Sequence, residues 1–223
     1  MAVIRLHGFC LFPVFICIAV SLFLFSCEKK DETPPGLPDQ ADSVRLSLDN
    51  SPDSAVSSSL SDEIFALMGP GKISRYDPIV KKHSRRYGFD WRLISAQIFA
   101  ESGFEERAMS RCGAKGLMQI MPKTASWLGT NPSALMRPGD NIALGIHYDH
   151  KLFMKWEEIK GRDRYAFMFA SYNAGPTAVR KAHGKAGCGN VWTCVQPNLP
   201  GETRHYVKKI MKMYDSYKKK IPG

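Results

Sequence analysis

An uncharged, apolar run from Phe9 to Phe25, followed by 36 residues without one aromatic side chain, removes the first 63 positions of this 223-residue chain from any packed core. The second of these segments, Glu28 to Glu63, holds eight serines and four prolines and almost no apolar clustering. Such a polymer cannot bury enough surface to offset its conformational entropy, so it is expected to be a disordered linker. Fully extended it would reach about 120 Å, and on average about 35 Å. Residues 64–223 remain for folding, enough for one domain with its own core.

Residues 1–26 have the pattern of a secretory signal, with Arg5 ahead of the apolar run. The run ends Leu24-Phe25-Ser26-Cys27, which looks like a bacterial lipoprotein signal. That likeness implies that Cys27 becomes the lipidated first residue of the mature protein, although Phe25 is bulkier than the usual pattern. An uncleaved anchor is the alternative, but 17 residues interrupted by Pro13 are at the short end for a membrane span. Either reading puts the rest of the chain outside the cytoplasm on a membrane tether. The expected organisation is a signal (1–26), a lipidated Cys27 with its linker (27–63), and a folded domain (64–223). The expected place is the cell envelope, anchored by lipid at the outer membrane and facing the periplasm.

Charge divides the mature chain at the same boundary. Glu28 to Glu63 carries three basic and nine acidic residues, whereas Ile64 to Gly223 carries 27 basic and 12 acidic. A basic domain favours a polyanion or an anionic surface. Export argues against nucleic acid as that partner. Cys112, Cys188 and Cys194 are the cysteines of the folded part. In an oxidising compartment Cys188 and Cys194 can close a short loop eased by Gly189, leaving Cys112 as the odd thiol.

The domain reads as nearly all helix. Asp90 is placed to cap a helix from Trp91, Pro122 and Pro132 to open two more, and Gly129 to close the first of those. Asp140 is expected to cap a longer helix carrying Ile142, Ile146, Phe153 and Trp156, and Asp163 to open one through Tyr172. Pro176 would start a short helix ending at Gly184. The last helix, from about Glu202, would bury Tyr206, Val207, Ile210, Met211, Tyr214 and Tyr217 at three- and four-residue intervals. The loop holding Trp192 is expected to lie against a substrate groove.

Three segments carry the candidate chemistry. Glu101 ends an apolar helical stripe with Ile94 and Ile98, seven and three residues before it, and is followed by Ser102. Burial there, without a cation, would raise its pKa and leave it able to donate a proton. The plainer reading is a glutamate satisfied by an arginine or by Gln97, one turn earlier. Ser102 is placed to bond that carboxyl or to cap the helix end. Gly116-Leu117-Met118-Gln119-Ile120-Met121-Pro122 joins a glycine for close backbone approach to an amide offering both donor and acceptor. Ser171-Tyr172-Asn173-Ala174-Gly175 closes a helix with a tyrosine near its end. His147, Asp149 and His150 cluster on one helix, but two histidines three apart are more often surface residues, so no metal is expected. No cofactor is expected either.

In this order and at about these distances, the three segments resemble the catalytic domain of lytic transglycosylases, lysozyme-like enzymes that cut peptidoglycan. The likeness runs from about Tyr76 to Tyr217. It implies a mainly α, lysozyme-like domain with a substrate groove. Glu101 would be the catalytic acid, with Ser102, Gly116, Met118, Gln119, Tyr172, Asn173 and Tyr206 binding substrate. Ser171 stands where the family commonly has alanine, and Asp149 where it has an apolar residue. The resemblance implies that the acetamido group of N-acetylmuramic acid replaces a second carboxylate and that a 1,6-anhydro product forms. A hydrolase of the goose-type lysozyme kind and a non-catalytic glycan binder are the rivals. Peptidoglycan, which carries free carboxylates, fits both the compartment and the positive charge. A monomer is expected.

Overall fold

The computed structural model describes residues 71–222. The signal pattern, Cys27 and the linker lie outside the described residues. The first described helix, α1 (Asp77–Tyr87), begins where the Asp77 carboxylate accepts from the backbone N–H groups of Ile73 and Ser74, both at 2.9 Å. Gly88, at φ 72°, closes it in the left-handed conformation, and α2 (Trp91–Ser102) starts three residues later. The Asp90 side chain caps α2 by accepting from Arg92 N at 2.9 Å.

A segment without α-helix, residues 103–121, leads to α3 (Pro122–Trp127), with isolated antiparallel bridges from Lys115 to Met109 and Ile120. A 3-10 turn (Pro132–Met136) then precedes α4 (Pro138–Met154). Next come α5 (Gly161–Ala174), α6 (Pro176–Ala186), the single turn α7 (Trp192–Val195) and α8 (Gly201–Lys220). The mainly helical architecture is as expected from the sequence.

Some boundaries differ from the sequence expectation. Pro132 opens a 3-10 turn and not an α-helix. Asp140 sits inside the first turn of α4, because Pro138 with its fixed φ starts the helix two residues earlier. Gly184 is an interior residue of α6, which runs on to Ala186 and is closed by Gly187 at φ 64°. Trp192 packs edge-on against Phe167, with ring centroids 5.7 Å apart.

The middle of the domain is α5, buried without interruption from Ala166 to Ala174. A helix segment buried on every side belongs inside a bundle, and α4, α6 and α8 pack around this one. Ser171 has a place in that interior: its hydroxyl donates to Phe167 O and accepts from the Trp156 indole at 2.9 Å. The helix pair that matters most for the site is α2 with α8. Leu93, Ile94 and Ile98 of α2 are wholly buried, as are Val207 and Ile210 of α8.

Candidate active site

Glu101 lies on the last turn of α2, 5% exposed, and accepts one hydrogen bond, from the Tyr206 hydroxyl of α8. Lys209, nearly a turn further along α8, faces the carboxyl without closing to an ion pair. Burial pushes the Glu101 pKa up to about 8, against the opposing pull of the Tyr206 hydroxyl and of Lys209. A carboxyl in that range is a mixture of acid and base near neutral pH, which suits a group that first gives a proton and then takes one back.

Four consecutive carbonyls of the neighbouring turn are each held by a different side chain. Lys115 O accepts from Asn141 Nδ2 at 2.8 Å, and Gly116 O from Gln119 Nε2 at 2.8 Å. Leu117 O accepts from Ser102 Oγ at 2.8 Å, and Met118 O from the Tyr172 hydroxyl at 2.7 Å. The turn is closed by reciprocal backbone bonds between Lys115 and Ile120. Asn141 also accepts from Met118 N at 2.8 Å and donates to Leu135 O at 2.9 Å. Gly116, at φ 75°, is needed there: a Cβ would stand 2.4 Å from Asn141 Nδ2.

This geometry corrects several placements read from the sequence. Ser102 does not bond the Glu101 carboxyl; its hydroxyl ties the end of α2 to the turn through Leu117 O and Ile98 O. Gln97 turns away from Glu101 and donates to Asp149 Oδ1 at 3.1 Å. Met118 and Tyr172 are wholly buried, so both sit inside the wall of the site and offer no surface to a ligand. Their burial follows from the packing: Met118 is wedged where a Cβ on Gly145 would meet its sulfur at 2.3 Å, and the Tyr172 hydroxyl is spent on the turn. Asn173 accepts from Thr203 Oγ1 at 2.8 Å, which fixes the first turn of α8 and with it Tyr206 three residues on.

Gln119 is the least satisfied of the set. It is held in the left-handed region at φ 44°, its amide N–H groups are used on Gly116 O and Ala108 O, and its buried Oε1 has no partner. Thr203 and Lys209 carry no sequence signal as site-building residues, whereas Asn141, with Ile142 and Gly145, fits the family's pattern without betraying its bonds to the turn. His147 stacks on Tyr87 with ring centroids 6.0 Å apart and His150 lies tilted against it at 4.7 Å, while Asp149 points inward to Gln97, so the three do not converge. Cys188 and Cys194 are joined as a disulfide. A separate cleft of about 470 Å³, lined by Tyr87, His150, Phe153 and Arg164 among others, shares no residue with the Glu101 constellation.

Other carboxylates near the end of α2 are engaged elsewhere. Glu106 accepts from Arg75 Nη2 and the Tyr76 hydroxyl, both at 2.9 Å, and Glu105 accepts from Arg107 N at 3.0 Å.

The family model of the transglycosylase SLT domain matches residues 78–194. Among curated proteins, the membrane-bound lytic murein transglycosylase F of Desulfosudis oleivorans is 33% identical, over 67% of this chain and 37% of that protein. The protein of the same name from Photobacterium profundum is 29% identical, over 65% of this chain and 32% of its own length. Among solved structures, an inactive mutant of the lytic transglycosylase Slt from Pseudomonas aeruginosa matches with a TM-score of 0.57 at 27% identity, over 66% of this chain and 24% of that one. A 70-kDa soluble lytic transglycosylase in complex with bulgecin A matches with a TM-score of 0.57 at 26% identity, over 65% of this chain and 24% of that one. The chain thus spans about a third of the length of these curated relatives and a quarter of the solved chains.

Proposed function

The chain belongs to the transglycosylase SLT domain family, and on that premise we propose that it is a peptidoglycan lytic transglycosylase with Glu101 as its one catalytic acid and base. The observation that carries this reading is the buried Glu101 carboxyl at the end of α2, with the Tyr206 hydroxyl as its hydrogen-bond partner. Glu101 protonates the glycosidic oxygen between N-acetylmuramic acid and the next sugar. The 2-acetamido oxygen of the same sugar attacks C1 as that bond breaks and holds the positive charge. Glu101, now a carboxylate, takes the proton of the C6 hydroxyl, and O6 closes on C1 to release the acetamido group. No water is consumed, and the product is a 1,6-anhydromuropeptide.

Two features favour this route over hydrolysis. Glu105 and Glu106 are committed to Arg107 and to the Arg75–Tyr76 pair, so neither is poised to activate a water at C1. Intramolecular attack by the C6 hydroxyl gains from proximity that an incoming water lacks. The basic domain suits the carboxylates of the peptidoglycan stem peptides, and lipidated Cys27 would hold it in the envelope as a monomer. Digestion of purified sacculi tests the reaction. Released muropeptides should be lighter by one water than lysozyme products and inert to borohydride. Products that reduce readily would place the protein with the hydrolases.

A further inference from the structure

Asp149 is a carboxyl group that the reaction above does not use. It lies on α4, wholly buried, in a helix whose other inward residues include Ile142, Ile146 and Leu152. It accepts from Gln97 Nε2 at 3.1 Å, while Asp149 Oδ2 and Gln97 Oε1 are both buried without a partner. The titratable groups facing it are Glu101 from α2, Tyr172 from α5 and Tyr206 from α8, besides Tyr148 of its own helix; Lys209 of α8 faces Glu101. Among the described residues, no cation faces Asp149 itself. An ionised Asp149 would be a buried anion with one oxygen unsolvated, an arrangement that folded proteins avoid by neutralising the group.

A neutral acid removes both orphans at once. With its hydrogen on Oδ2 the group has one donor, and Gln97 Oε1 is the unused acceptor on the same partner. A carboxylic acid and a primary amide then pair side by side, N–H to oxygen and O–H to oxygen. We propose that Asp149 is carried as a neutral acid that clasps the Gln97 amide in such a ring, and that the clasp positions the site by keeping that amide away from Glu101. Gln97 precedes Glu101 by one helical turn on the same face, so an unclasped amide is within reach of the carboxyl. There it would donate to the carboxylate, favour the ionised form and deprive Glu101 of its proton in the working range. Burial, reinforced by the charge of Glu101, holds the Asp149 pKa well above the usual carboxylate range, in keeping with the clasp.

The inference rests on Glu101 being the acid, and its test reads the carboxyl directly. Carboxyl-13C NMR of the purified protein follows the Glu101 titration in four forms: wild type, Asp149→Asn, Asp149→Leu, and Asp149→Leu with Gln97→Leu. Asp149→Asn keeps an amide ring with Gln97 and should leave the midpoint within about half a pH unit. Asp149→Leu frees the amide and should lower the midpoint by about one unit or more, with the double variant restoring it. A fall of that size in Asp149→Asn would show that Asp149 is an anion, and no fall in Asp149→Leu would remove the clasp. Should Asp149→Leu not fold, the Asp149→Asn result decides, since an anionic Asp149 predicts a lower midpoint and a neutral one predicts none. Reducing-end products would overturn the proposed reaction and leave this titration standing.

Discussion

The two ends of α2 carry the same pair of groups and put them to opposite uses. At the start, Asp90 accepts the Tyr214 hydroxyl at 2.9 Å; at the end, Glu101 accepts the Tyr206 hydroxyl, and both tyrosines come from α8. Asp90 also has Arg92, bonded through Nε at 2.9 Å and Nη2 at 2.7 Å, and the backbone N–H of Arg92. Although desolvation opposes them, those donors hold the Asp90 carboxyl below its usual range. Glu101 has a distant lysine and deeper burial, and its pKa rises to about 8. A tyrosine hydroxyl alone does not decide whether a carboxyl is a structural anion or an acid. The cation and the access to solvent decide it.

The sharpest way to break this comparison is Glu101→Gln. Cleavage of sacculi should fall by about a thousandfold or more, with binding of glycan strands retained. Comparable loss in Glu105→Gln would mean that the one-carboxylate reading is wrong. Next in size is the stability of the same variant. Wild type keeps its Glu101 contribution below the unfolded pKa near 4.5 and loses it as pH rises through about 8. Chemical denaturation should therefore find Glu101→Gln the more stable protein at pH 8, by on the order of 3 kcal/mol, with the gap closing below about pH 5.

Asp90→Ala should do the reverse. Its cap and ion pair stabilise the fold above the ordinary aspartate pKa, so the variant should lose about 1–2 kcal/mol at neutral pH. That deficit should shrink on acidification below about pH 4, as Asp90 protonates in wild type too. The smallest effects separate the two tyrosines. Tyr206→Phe should slow cleavage about tenfold and move the alkaline limb of the pH–rate profile upward, because the hydroxyl favours the Glu101 anion. Tyr214→Phe should cost about 1 kcal/mol of stability and leave that limb in place.

The same contrast explains what could be read from the sequence and what could not. Asp90 before Trp91, the stripe from Ile94 to Glu101 and the spacing of α8 are local periodic signals, and they located the helices and the buried carboxyl. Periodicity placed Tyr206 only on the buried side of α8; its place at the site is what the family resemblance implies. What failed was direction at short range. Ser102, Gln119 and Tyr172 are polar groups with side chains that can face a ligand or the backbone, and the turn at Lys115–Ile120 claims all three for its carbonyls. Helix periodicity says nothing about such a turn, whose unpaired carbonyls exist only once the chain has bent. Asp149 was legible through the resemblance, as an aspartate where the family has an apolar residue. Its partner was not, since Gln97 lies 52 residues earlier on another helix.

The hydrogen bond from Tyr206 to Glu101 spans 105 residues of chain. A ribosome therefore delivers the acid roughly 5–20 s before the hydroxyl that completes it, at ordinary rates of synthesis. Until α8 docks, the face of α2 that carries Ile94, Ile98 and Glu101 lacks its cover, and the carboxyl is an ordinary hydrated glutamate with an ordinary pKa. The raised pKa of Glu101 is thus a property of the assembled pair of helices and of neither helix alone.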